Sequence, residues 1–239
     1  MFSRIKLLYQ WQRTPVLSSF RLPEHSHAKT NMTDKFHVLE YEPDDKGCPY
    51  YLSERATPKE WEWDGYDTKP FDVKITKNYS SKITDKDINF IDFDLYRTDS
   101  PYVSDKFVAL CKELSVSFRA IPIDITMRDG SRPEKTYFVF LPASYISLID
   151  VENSIFEIER LRENGDATMH RDFPDIPVYS KIENFRTKDI EAPHLFQCID
   201  IFSLVCTDVF KIEALKRNLR GLKFTPLDET YIYDPWAGW

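Results

Sequence analysis

Glycine is scarce in this sequence. Six occur among 239 residues, Gly47, Gly65, Gly130, Gly165, Gly221 and Gly238, where average usage of roughly 7% would give about 17. No two are close together, so a dinucleotide fingerprint, whose clustered glycines let backbone approach a pyrophosphate, is excluded. A phosphate-cradling loop and the glycine-flanked serine of a nucleophile elbow are excluded on the same ground. Cysteine supplies no motif either. Cys48, Cys111, Cys198 and Cys206 form no C-x-x-C pair, and Cys111 and Cys206 lie in apolar stretches where a free thiol behaves as a small buried hydrophobe. Of the histidines, only His25 and His27 are neighbours, and no His-Glu-x-x-His occurs, which argues against a zinc site. No apolar run reaches the roughly 18 residues of a spanning helix. An excess of cations is also missing. Lys plus Arg is 32 and Asp plus Glu is 39, a formal charge of −7, the wrong sign for a whole-chain nucleic-acid footprint.

What is present suits a packed core. Hydrophobic residues make up 42% of the chain and aromatics 15%. Charge is unevenly spread. Residues 1–31 carry Arg4, Lys6, Arg13, Arg21 and Lys29 against one acid, Glu24. Setting these five cations and one anion apart leaves 27 basic and 38 acidic residues in 32–239, a charge of −11. Residues 1–31 therefore read as a basic, flexible N-terminal extension, and 32–239 as one α+β domain. With no signal peptide in view and unpaired cysteines, the expected compartment is the cytosol.

Phe36–Tyr41 reads as a strand, and 43–70, rich in Pro, Asp, Glu and Trp, as a long irregular excursion. Asp72–Thr76 is expected to be a short strand. In 90–96, Ile91, Phe93 and Leu95 alternate with Asp92 and Asp94, which predicts a half-buried strand with both aspartates toward solvent. Ser104 can cap a helix whose apolar face is Phe107, Leu110, Cys111 and Leu114. Strands follow over 116–127 and 136–141, around an Asp129-Gly130 turn, and then over 144–150, 155–158, 178–185 and 195–205. Thr207 repeats the capping pattern, with Val209, Ile212, Leu215 and Leu219 as the expected apolar stripe and Gly221 as the left-handed residue at the helix end. Tyr102-Val-Ser-Asp-Lys-Phe107 is echoed by Val205-Cys-Thr-Asp-Val-Phe210, and Phe118–Asp124 by Phe224–Asp228 with small gaps. The predicted fold is α+β: a mostly antiparallel sheet, a few helices on one side, and two similar helix–strand units.

The order of these elements, through SFRAIPID, YFVFLPASYISLIDVENSIFEI, LFQCIDIFSLVCTDVF and GLKFTPLDE, resembles the immunity proteins of bacterial polymorphic toxin systems, in particular immunity protein 43 and the related immunity protein 11. The resemblance covers 90–230 and, more loosely, 34–42. It implies an intracellular protein that binds one cognate toxin domain and neutralises it, with no cofactor, no direct nucleic-acid contact and no membrane. A basic nuclease is one such toxin, and an acidic inhibitor would meet it quickly.

Two segments are candidates for toxin contact. One is the acidic run Asp85, Asp87, Asp92, Asp94 and Asp99, for which the solvated face of an edge strand is the favoured alternative. The other is Trp61, Trp63, Asp64, Tyr66 and Asp67, which reads either as an interface patch or as a loop anchored by its tryptophans. The C-terminal Tyr231, Tyr233, Trp236 and Trp239 are expected to pack on their own domain. No catalytic, cofactor-binding or metal-binding residues are expected. The competing reading is a small hydrolase or transferase with Cys, His and carboxylates dispersed in sequence, betrayed by a pocket that joins a cysteine to a histidine.

Overall fold

Ser104 and Thr207 each end a strand and begin a helix, and the architecture is organised around that shared junction. In the computed structural model, which describes residues 35–65, 67–96 and 100–237, the elements run in the following order. First come β1 (Phe36–Tyr41), β2 (Glu54–Thr57), β3 (Tyr79–Ile83), β4 (Leu95–Tyr96), β5 (Tyr102–Ser104), α1 (Asp105–Glu113), β6 (Phe118–Thr126) and β7 (Tyr137–Pro142). Then follow β8 (Tyr145–Ile146), β9 (Ile155–Ile158), β10 (Tyr179–Asn184), β11 (Leu195–Cys198), β12 (Ser203–Thr207), α2 (Asp208–Lys216) and β13 (Leu222–Pro226). The fold is α+β. Residues 1–34, Tyr66, 97–99 and 238–239, and with them the basic extension, Asp99 and Trp239, lie outside the described residues.

The single sheet expected from sequence is instead two main sheets and a hairpin. One sheet has the order β2-β3-β6-β7-β5-β4, the other β13-β1-β12-β11-β8, and β9 pairs with β10. Pairing is antiparallel except at β3–β6 and β8–β11. The reason for two sheets is the internal repeat. β5 and β6 flank β7, as β12 and β13 flank β1; β4 lies on β5 as β11 lies on β12. Register makes the match gapless over the last strand. Pro122 lies opposite Phe138, and Pro226 opposite His37. Phe118–Asp124 thus corresponds to Leu222–Asp228, not to a gapped segment from Phe224. The second unit carries one extra residue between helix and strand.

The junctions agree in detail. Ser104 has φ −79 and ψ 166, and Thr207 has φ −82 and ψ 166. At the far ends, Ser115 (φ 54) and Asn218 (φ 52) are the left-handed residues. The Val116 amide donates to the Cys111 carbonyl at 2.9 Å and the Leu219 amide to Ala214 at 3.1 Å, the bonds that close a helix whose chain turns left-handed. Asn218, not Gly221, ends α2. Three residues past each cap, Phe107 and Phe210 meet edge to face, 5.7 Å apart. They centre a core shared by both helices with Leu39, Val103, Phe140, Leu195 and Cys206. The first sheet's other face, with Ile121, Ile123 and Ile125, is covered by the 43–70 excursion through Cys48, Leu52 and Trp63. The second sheet's other face, with Phe36, Val38 and Val205, meets Tyr179 and Ile182 of the β9–β10 hairpin.

Other boundaries shift. Asp72–Thr76 is not a strand, and only Leu95–Tyr96 of 90–96 is one. Segment 195–205 is a hairpin turning over 199–202. The expected stripe of α2 is largely reversed: Phe210 and Ala214 are buried and Val209, Ile212 and Leu215 exposed, and of the stripe only Leu219 packs against the core. Phe210 takes the place that Phe107 holds in α1, and its ring claims the core.

Two of the glycines close the fold at one place. A β-carbon on Gly47 (φ 101) would sit 2.8 Å from the Asp92 amide nitrogen, and one on Gly221 (φ 76) 2.6 Å from the Leu95 carbonyl oxygen. Both contacts are with backbone, and both φ values suit glycine alone. Gly221→Ala and Gly47→Ala are each expected to destabilise the protein by more than about 1 kcal/mol. Gly130→Ala, whose β-carbon meets nothing within 4 Å, should cost less. Urea denaturation of the three variants checks this order.

Candidate functional site

The acidic run divides into two parts with different surroundings. Asp94 is 1% exposed, contrary to the solvent-facing position expected of it. Its Oδ1 accepts from the Ser104 hydroxyl at 2.5 Å, and its Oδ2 from the Arg220 amide at 2.7 Å. The Lys135 ammonium lies 3.0 Å away. Ser104 in turn accepts from the Phe107 amide at 3.1 Å, so the carboxylate holds the cap of α1. The alternating pattern misplaced Asp94 because 91–94 is not a strand: its amides pair with the Gly47 and Arg220 carbonyls. Asp92 is half-exposed but bound. Lys135 reaches it at 2.7 Å and Arg220 at 2.6 Å, while Arg220 also grips Asp44 at 2.7 Å. Burial pushes the Asp92 carboxyl up, but the hydrogen bonds from Lys135 and Arg220 outweigh that and hold it below its usual range.

Asp85 and Asp87 lie in the loop after β3; Asp87 is exposed, Asp85 half-buried. Beside them the surface carries large aromatics that sequence reading passed over. Tyr50 is 87% exposed, Tyr51 69% and Phe90 56%. The Phe90 ring crowds Gly47, which places 44–51 against 90–92. Asp44 and Asp45 are exposed there as well. The outcome is a surface with exposed aromatics among charges of both signs, Asp45, Asp85 and Asp87 with Lys46 and Lys86. The signal for it lay in Pro43–Tyr51, whose acids and tyrosines have no period to bury them.

The Trp61–Asp67 segment is anchored. Trp61 and Trp63 stack at 4.8 Å and both meet Tyr79. Trp63 is buried and donates its indole N–H to Ser100 at 3.2 Å. Between them, Glu62 accepts from the Thr76 hydroxyl, from the Thr76 and Lys77 amides at 2.9 Å, and from Tyr79 at 3.0 Å. These bonds, the Thr76 hydroxyl's above all, hold the Glu62 carboxyl down at about 2. Asp64 is exposed, 3.8 Å from Arg171, and the Asp67 carbonyl accepts from Tyr145 at 3.0 Å. Tyr66 is outside the described residues. The tail packs on its own sheet as far as Tyr233, which exchanges two backbone hydrogen bonds with Ile182; Trp236 is exposed.

A cleft of about 400 Å³ lies where the two sheets meet, lined by Phe140, Leu141, Tyr145, His170, Gln197 and Cys198 among others. It brings a cysteine and a histidine to one place, so its chemistry matters. Cys198 is fully buried and turns its thiol to Asp200 at 3.5 Å. Burial, with the Asp200 charge beside it, pushes that thiol well above its usual range, the reverse of an activated nucleophile. His170 stacks on Phe202, accepts from the Asp172 amide at 3.3 Å, and is held toward its neutral form by burial. Cys111 and Cys206 are likewise buried with thiols pushed up by burial. Among the described residues no cluster of three His, Cys, Asp or Glu could hold a metal ion, and no helix is long and apolar enough to cross a membrane.

The fold is a two-sheet α+β scaffold whose surface carries exposed aromatics among charged side chains. The family model for the Imm11 immunity proteins matches residues 68–229, more than half of the chain, and the chain belongs to this immunity protein family. Comparison with curated proteins finds no match. The family implies a toxin-neutralising role and a toxin as partner. The matched span omits β1, although β1 sits between β12 and β13 and completes the second unit.

Two outcomes test these placements. Asp94→Ala leaves a buried ammonium and an amide short of a partner, and is expected to cost about 3 kcal/mol of stability in urea denaturation. Glu62, whose folded value lies far below the ordinary 4.5, contributes stability that is present above that value and is lost as pH falls toward 2. Glu62→Gln should therefore be less stable than wild type at pH 7, with the gap closing as the pH is lowered to about 2.

Proposed function

We propose that this chain binds one cognate toxin domain and neutralises it by covering the toxin's active or substrate-binding site. Membership of the immunity family carries this reading. A charged surface with exposed aromatics supports it: Asp85 and Asp87 with Tyr50, Tyr51 and Phe90; the exposed Asp64 and half-buried Asp67 lie elsewhere, beside Arg171 and Tyr145. Asp92, paired with Lys135 and Arg220, and Asp94 hold this surface from beneath, while Trp61 and Trp63 anchor their own loop on Tyr79. A body of charge −11 fits a basic toxin domain such as a nuclease, because opposite fields steer encounter. The chain would act in the cytoplasm, without cofactor, on the toxin and not on nucleic acid or membrane. Residues 32–239 carry the binding in this reading, with 1–31 as a basic extension.

Co-expression with the toxin domain encoded beside its gene tests the proposal. The cells should survive and the two chains co-purify; dead cells and no complex would refute it. Asp85→Asn with Asp87→Asn should slow association roughly 3- to 10-fold and flatten its salt dependence, with dissociation little changed. Stopped-flow mixing at two ionic strengths reads this directly.

A further inference from the structure

The internal repeat supplies a control for every surface position. In α1 the exposed residues after the cap include Lys106, Ala109 and Lys112. The same positions in α2, counted from Thr207, are Val209, Ile212 and Leu215, exposed at 38%, 49% and 55%. The packing of the unit does not ask for apolar residues here, because α1 keeps the same geometry with lysines. Nor does helix propensity, since Val and Ile are poorer helix formers than Lys and Ala. Three aliphatic side chains spaced by three on one face form a stripe along the helix. Lys211, Glu213 and Lys216 border it, a polar rim around an apolar centre.

We propose that this face of α2 is an apolar docking element for the toxin domain, received by an aliphatic or aromatic patch on the toxin. The inference rests on the reading of the chain as a toxin-binding protein and adds a second contact to the aromatic-bearing face. Continuity favours the toxin as occupant. Arg220, five residues beyond Leu215, grips Asp44 and Asp92 at the edge of that face, so α2 runs toward it. A second copy of this chain fits less well. Three side chains fall far below the roughly 800 Å² per partner of a stable interface, and no exposed aromatic accompanies them on the helix.

The repeat also provides the test. Val209→Lys, Ile212→Ala and Leu215→Lys together give α2 the surface that α1 already carries, so the fold should tolerate them. Affinity is measured by calorimetry against the toxin domain encoded beside the gene, inactivated by a catalytic substitution, alongside the melting temperature and the mass in solution. The triple variant should keep its melting temperature and bind at least about 30-fold more weakly, the factor set by losing one hot-spot residue. Ile212→Lys alone should lose part of that affinity, which keeps the test open if the triple variant misfolds. Affinity within about threefold of wild type would overturn the inference while leaving the toxin-binding reading intact. Wild type failing to bind the domain at all would overturn both. A wild-type dimer that the triple variant converts to a monomer with unchanged toxin affinity would assign the face to a second copy instead.

Discussion

The buried carboxylate of Asp94 is the constraint on which the rest depends. One oxygen holds the hydroxyl that caps α1 and the other holds the amide of Arg220, so a helix start in the first unit is tied to the chain just past α2 in the second. Lys135 balances the charge from the end of the β6–β7 loop. Buried charges persist only when paired and hydrogen-bonded, and Asp94 meets both conditions. The second unit has a related but weaker device. His194 takes the equivalent place, its Nδ1 2.9 Å from the Thr207 hydroxyl, and Thr207 makes no side-chain cap bond. The repeat is thus symmetric in backbone and asymmetric in chemistry.

The linkage through Asp94, Asp92 and Arg220 sets 44–51 against 90–92, and the surface there carries exposed aromatics among charged side chains. The glycine deficit fits the same picture. Gly47 and Gly221 are spent where this segment is gripped between two neighbouring backbones, and the other four stand singly in the sequence, not gathered in a loop of the kind that cradles a phosphate.

Much of this was legible in the sequence. The caps at Ser104 and Thr207, the strand Phe36–Tyr41 and the echo between the units followed from local chemistry, as did the α+β class. What failed did so where tertiary packing overrides pattern. The apolar spacing of Val209, Ile212 and Leu215 is a good helical stripe, yet Phe210 is larger and wins the core. Asp94 alternates as a solvent residue should, but its partners are 10 and 126 residues away, and no local signal announces them. Trp61 and Trp63 proved to be anchors of their loop, and the exposure of Tyr50, Tyr51 and Phe90 went unread because their segments have no period.

Hydrogen exchange of the full chain, alone and with the inactivated toxin domain, tests the central claim most directly. The account predicts slowed exchange in 42–51, 85–92 and 208–216, with the cleft between the sheets unchanged. Protection confined to the cleft residues around His170 and Cys198, or none anywhere, would contradict it.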